Sequence, residues 1–261
     1  MASEPHADPW DALRRTTQAR IGLGRTGDAM ALRDVLEFQL AHAKARDAVH
    51  TALNVGALRA ALPDAVVVKS CAPARDIYLR RPDLGRQLAP ECRLARGDYD
   101  AVFVIADGLS ATAVMQHAVP MYQAALARLG DFKLAPPVIA TQARVAIGDD
   151  IGEALGAKLC AILIGERPGL SVAESLGIYL TYNPKRGVRD SARNCISNVH
   201  TKGGLSYDGA ADMLTWLMRE AVRRKLTGVG LKEASGLLGK EGQGALPPGP
   251  PLGAARPDPR N

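Results

Sequence analysis

The sequence predicts an α/β fold, a mostly parallel sheet with helices on both faces, preceded by a small helical N-terminal domain. Three observations carry this. Two stretches, "YDAVFVIADG" and "KLCAILIGE", are continuous apolar runs, the form of strands buried on both faces. Such runs alternate with segments whose apolar residues recur every three or four positions, the alternation expected of βαβ units. The first 65 residues show only the helical period.

Asp8 precedes Pro9, a cap followed by proline at the first helical position, and "WDALRRTTQARIGL" predicts a helix stopped by Gly22 and Gly24. Leu32, Val35, Leu36, Leu40 and Ala43 predict a second helix through about Val49. These form an expected helical domain over residues 1–65. A second domain, over 66–240, opens with the β-branched strand "AVVVKS". "RDIYLRRPDLGRQL" is broken by Pro82 and Gly85 and predicts short helical turns. After "YDAVFVIADG" comes a helix, with Val114, His117, Ala118, Met121, Tyr122 and Ala125 on one face and a kink expected at Pro120. "PPVIATQARVAIGDD" predicts one or two short strands, and Asp149 and Asp150 open a helix to about Gly156, acids at its positive end. "KLCAILIGE" and "LGIYLTYNP" are further strands. The last helix carries Tyr207, Ala210, Ala211, Leu214, Leu217 and Met218 on one stripe, with Ser206 as cap and Gly228 as terminator. Residues 241–261, rich in proline and glycine, predict a disordered tail.

The 261 residues are 47% hydrophobic and carry a net charge of +6. The positive residues lie in scattered pairs without interleaved aromatics, so no nucleic-acid partner is expected. No run approaches the ~20 apolar residues of a bilayer span, and "MASEPHADPW" lacks the apolar core of a secretory signal. A cytoplasmic location without membrane attachment is therefore expected. Cys71, Cys92, Cys160 and Cys195 form no CxxC pair and have no histidine cluster beside them, so no metal site is expected.

In parallel sheets, ligands bind beyond the carboxyl ends of the strands. Asp107-Gly108, Glu166-Arg167 and Asn183-Pro184 each follow a predicted strand, and one crevice would collect them. Asp107 has a structural reading as the cap of the following helix. Glu166 either pairs with Arg167 or accepts hydrogen bonds from a ligand, the stronger arrangement at about 1.5–3 kcal/mol per bond. Cys195 lies in "RNCISNVHTKGG", expected as a polar loop between the last strand and the last helix. Its readings are a packing cysteine or a ligand contact. A thiol nucleophile paired with His200 is disfavoured, because the loop supplies no orienting acid. His117, on an apolar helix face, reads as a core histidine. "GLGRTG", Gly22 to Gly27, matches GxGxxG by letter only, because it follows a helix and not a strand.

"DPWDALRRTTQARIGLGRTG", "SCAPARDIYLRRPDLGRQL", "ADGLSA", "RVAIGDDIGEALGAKLCAILIGERPGLSVAESLGIYLTYNP" and "CISNVHTKGG" resemble the small subunit of ethanolamine ammonia-lyase over roughly residues 8–232. The resemblance implies a Rossmann-like domain that covers adenosylcobalamin, bound base-on, against a large TIM-barrel subunit, in a heterododecamer of six heterodimers. It implies a radical conversion of ethanolamine to acetaldehyde and ammonia, with the cofactor supplying the radical chemistry. Bacterial ethanolamine degradation also makes a microcompartment a compatible location. The family's cofactor contacts fall on Val145, Glu166 and Cys195, and its catalytic residues belong to the large subunit. Asn198 to Gly203 resembles DxHxxG, in which a histidine binds cobalt, but Asn198 replaces the orienting acid. With base-on binding, His200 is not expected to ligate cobalt. Two alternatives stand beside this reading: a stand-alone nucleotide-binding α/β protein, and a microcompartment-associated adaptor.

Overall fold

The computed structural model describes residue 8 and residues 10–232, so the expected tail lies outside the described residues. The N-terminal segment contains α1 (Asp11–Arg14), the hairpin β1 (Arg25–Thr26) and β2 (Ala29–Met30), α2 (Leu32–His50) and α3 (Val55–Ala61). The helix expected to run to Gly22 ends after one turn. Thr16 Oγ1 donates to the Leu13 carbonyl at 2.8 Å, and the Arg14 guanidinium donates to the carbonyls of Ile21 and Gly22. These local bonds turn the chain back in place of helix propagation. "GLGRTG" becomes the approach and turn of the hairpin, with Gly27 at φ 62°. α3 is signalled by Asn54, whose side chain accepts from Ala57 N–H at 3.0 Å.

The central sheet has six strands: β3 (Val66–Lys69), β4 (Tyr99–Ala106), β5 (Val138–Thr141), β6 (Ala157–Gly165), β7 (Leu176–Tyr182) and β8 (Asn194–Val199). Their spatial order is β3-β5-β4-β6-β7-β8. β3, β5, β4 and β6 are parallel, whereas β7 and β8 alternate in direction. Helices α4 (Arg75–Arg80), α5 (Ala111–Leu126), α6 (Ile147–Leu155) and α7 (Tyr207–Arg224) complete the fold. Alternate residues of β4 face opposite cores. Phe103 and Ile105 pack with Met121 of α5 and Leu214 of α7; Val102 and Val104 pack with Ile147 and Ile151 of α6. Each such large apolar side chain contributes about 1.5–3 kcal/mol by burial. This is the α/β class expected, with helices on both faces.

α5 runs on through Pro120 and is capped by Ser110, which accepts from Ala113 N–H at 3.2 Å. Ser206 caps α7 as expected, but Lys225, at φ 58°, ends it. Gly228 serves a close approach instead: a Cβ there would lie 2.2 Å from the Ser191 carbonyl oxygen.

The direction of β7 overturns one expectation. Only residues 166–175 separate β6 from β7, too short for the helical crossover a parallel neighbour requires. The chain therefore makes a hairpin, and Asn183 falls at the opposite end of the sheet from Glu166. There Asn183 N–H donates to the Lys158 carbonyl at the start of β6, 2.7 Å away.

A candidate cofactor pocket at the strand ends

A pocket of about 400 Å³ opens beyond the carboxyl ends of β4 and β6. Its base is made by two glycines that allow adjacent turns to touch. Gly108 has φ 55°, and a Cβ on it would lie 2.3 Å from the Gly165 carbonyl oxygen; a Cβ on Gly165 would lie 2.1 Å from the Ser110 carbonyl oxygen. Leu109 N–H donates to Gly165 O at 3.0 Å and closes the seam. Only residues without side chains fit this contact.

Asp107, at the end of β4, does not cap α5. Its buried carboxylate accepts from Gln142 and Ala143 N–H, each at 2.8 Å, and Arg75 Nη1 lies 3.3 Å away. It fixes the turn after β5 that carries Arg144 and Val145 to the pocket wall. Burial pushes its pKa up, and the backbone donors and Arg75 oppose that shift.

Glu166 projects from the end of β6 into the pocket wall and is half-buried. Its partner is not Arg167. Its Oε2 accepts from the Ser175 hydroxyl and, at 3.3 Å, from Asn198 N–H. The reversal of β7 and β8 places both donors on the same rim. Among the described residues Oε1 has no hydrogen-bond partner. The carboxylate is thus held in place with one oxygen to offer.

Val145 lines the same pocket, half-buried, with its carbonyl accepting from Gly148 N–H at 3.1 Å as α6 begins. Cys195 stands apart from the wall and on a strand, not in the polar loop expected: it belongs to β8, opposite Tyr179 of β7. Tyr179 lines the pocket and joins Cys195 to it. Its phenol is pushed up to about 12, first by burial and then by Cys195 and Glu166. The Cys195 residue keeps an exposed side, but protein crowded around its sulfur raises the thiol pKa. A thiol so shifted is mostly protonated and a poor nucleophile.

His200 provides no base for it. Lys202 N–H donates to His200 Nδ1 at 3.1 Å, so Nε2 carries the proton and meets Asn198 Oδ1 at 2.9 Å. Burial lowers its pKa, and the ring presses on Gly204, where a Cβ would lie 2.7 Å from Nε2. Both nitrogens are engaged within one turn of chain. His117 is the core histidine expected, with Nδ1 2.7 Å from the Tyr207 hydroxyl.

Tyr78, Arg144 and Tyr179 complete the wall and were not among the residues singled out from sequence. Tyr179 had a signal, since it points away from the face of Ile178 and Leu180 by strand alternation. Tyr78 had none, because α4 is too short to show a period. Among the described residues, no helix is long and apolar enough to cross a membrane.

Residues 7–232 match the model of the family described as ethanolamine ammonia-lyase light chain (EutC). The ethanolamine ammonia-lyase small subunit of Azotobacter vinelandii is 49% identical over 254 residues, covering 92% of this chain and 94% of that one. The small subunit of Rhodococcus erythropolis is 49% identical, covering 88% and 92%, and that of Pseudomonas fluorescens is 50% identical, covering 87% of each. With a family match that spans both the helical segment and the whole sheet, the chain belongs to the ethanolamine ammonia-lyase light-chain family.

Proposed function

We propose that this chain is the small subunit of an adenosylcobalamin-dependent ethanolamine ammonia-lyase and that its strand-end pocket holds one edge of the coenzyme. The observation that carries the reading is the Glu166 carboxylate in the pocket wall, fixed through Oε2 with Oε1 left without a hydrogen-bond partner among the described residues. A corrin ring carries amide side chains around an apolar rim. Glu166 Oε1 suits an amide N–H, and Val145, Leu109 and Ile164 suit the rim. A pocket of about 400 Å³, open to one side, suits one flank of a large cofactor whose other side rests on a second chain.

When bound, adenosylcobalamin supplies the radical chemistry that turns ethanolamine into acetaldehyde and ammonia. This chain's residues bind and orient. Glu166 accepts from a corrin amide, Val145 packs against the ring edge, and Cys195 gives van der Waals contact or a weak thiol hydrogen bond beside Tyr179. His200, with both nitrogens engaged, stays off the cobalt, in keeping with base-on binding. The partner in this reading is the large TIM-barrel subunit, in six heterodimers, in the cytoplasm or a microcompartment. The division near residue 65 then separates a helical unit from the cofactor-covering unit.

The test is reconstitution of the chain with a large subunit and adenosylcobalamin, followed by ammonia release from ethanolamine. Coenzyme retention with turnover supports the reading. Absence of both in a mixed, soluble sample sinks it and returns attention to a nucleotide ligand or an adaptor role. Within the active complex, Glu166→Ala is expected to weaken coenzyme binding by about 1–3 kcal/mol, read as a raised apparent KM for adenosylcobalamin. Cys195→Ser is expected to leave most of kcat, because the thiol has no activating base. Complete loss of turnover in an assembled Cys195→Ser complex would contradict that.

A further inference from the structure

Arg75, in the first turn of α4, stands behind the pocket and joins parts of its frame. Its Nε donates to the Val49 carbonyl in the last turn of α2 at 2.8 Å. Nη1 donates to the Gly108 carbonyl at 2.8 Å and lies 3.3 Å from Asp107 Oδ2. The guanidinium sits 4.8 Å above the ring of Tyr78. Gly108 and Tyr78 are wall residues. Through Asp107 and Tyr78 the network continues to the next wall: Asp107 holds Gln142 and Ala143 N–H, and the Tyr78 hydroxyl donates to Ala143 O at 3.1 Å. Arg144 and Val145 follow directly in the chain.

We propose that Arg75 is a positioning residue, which sets the spacing of the pocket walls at Tyr78, Gly108 and Val145 and so the fit of the coenzyme; this rests on the cofactor reading above. A planar guanidinium serves three directions and stacks on a ring, which an ammonium does not. The Arg75 and Asp107 side chains are 13% and 3% exposed. A charge pair so buried is a poor source of stability against apolar packing, and its use lies in geometry. Arg75 also carries the linkage to the end of α2, so the helical N-terminal segment bears on the shape of a pocket it does not line.

The test uses the enzyme assembled with its large subunit. Arg75→Lys keeps a cation beside Asp107 but loses the fork. It is expected to weaken adenosylcobalamin binding about tenfold, read as the Kd by equilibrium dialysis without substrate and as the apparent KM, with the KM for ethanolamine held within about twofold. Tyr78→Phe keeps the ring under Arg75 and releases Ala143 O; it is expected to raise the coenzyme KM about threefold. Should Arg75→Lys fail to assemble, Tyr78→Phe decides alone. Unchanged coenzyme KM in the assembled variants, or coenzyme and ethanolamine KM rising in parallel, overturns the positioning role. A wild-type complex that binds no adenosylcobalamin overturns the cofactor reading itself, and that control separates the two failures.

Discussion

Arg193→Ala is expected to lower the stability of the chain by about 3–5 kcal/mol, measured as the free energy of urea unfolding followed by circular dichroism. Arg193 and Asp149 form two parallel bonds, Nη1 to Oδ1 and Nη2 to Oδ2, each 2.6 Å, and both side chains are 2% exposed. Truncating the arginine strands a carboxylate where water does not reach. The same guanidinium donates to Thr181 Oγ1 at 2.8 Å and to Val188 O at 2.9 Å, so it ties α6 to β7 and to the segment entering β8. The double variant Asp149→Leu with Arg193→Met removes both charges and is expected to lose far less than Arg193→Ala and Asp149→Ala combined. A loss below about 1 kcal/mol for Arg193→Ala would place this pair with exposed ion pairs, and the packing account would fail.

Gly108→Ala is expected to cost about 2–5 kcal/mol. Roughly 1–2 of this comes from placing a Cβ at positive φ, and about 1–3 from forcing it into the Gly165 backbone. Gly27 is the control, because it has φ 62° with nothing within 4 Å of a built Cβ. Gly27→Ala therefore carries only the first contribution, about 1–2 kcal/mol. Equal losses for the two variants, read from thermal or urea unfolding, would show that the Gly108–Gly165 seam relaxes freely. On the cofactor reading proposed above, because Glu166 follows Gly165, the same substitution is also expected to weaken adenosylcobalamin binding in the complex with the large subunit.

The strands that build the pocket floor were legible because β4 and β6 are apolar on both faces, a pattern few other elements produce. α7 was legible from its stripe and from Ser206. The direction of β7 was not, because strand alternation reads the same either way; the clue was the short stretch from 166 to 175. β8 was hidden as a polar loop. It is an edge strand, where Cys195, Ser197 and Asn198 meet solvent and Ile196 and Val199 carry the buried face. The helix expected through Thr16 and Thr17 failed because local side-chain bonds compete with its ladder. Glu166 was legible as a carboxylate at a strand end. Its partners Ser175, just before β7, and Asn198, on β8, were not, because the reversal of those two strands brings them to the rim. Asp107 was read as a cap because it precedes a helix by a few residues, but the helix already had Ser110.

The rim donors on Glu166 also bear on the kinetics and entropy of recognition. A free glutamate side chain samples many rotamers, and holding it still removes up to about 1.5–2 kcal/mol of conformational freedom. Ser175 and Asn198 impose that loss when the protein folds. An arriving ligand then meets an acceptor already aimed, and little of its binding free energy is consumed in immobilising the side chain. Relaxing the rim with Ser175→Ala would restore that motion while leaving the carboxylate itself in place.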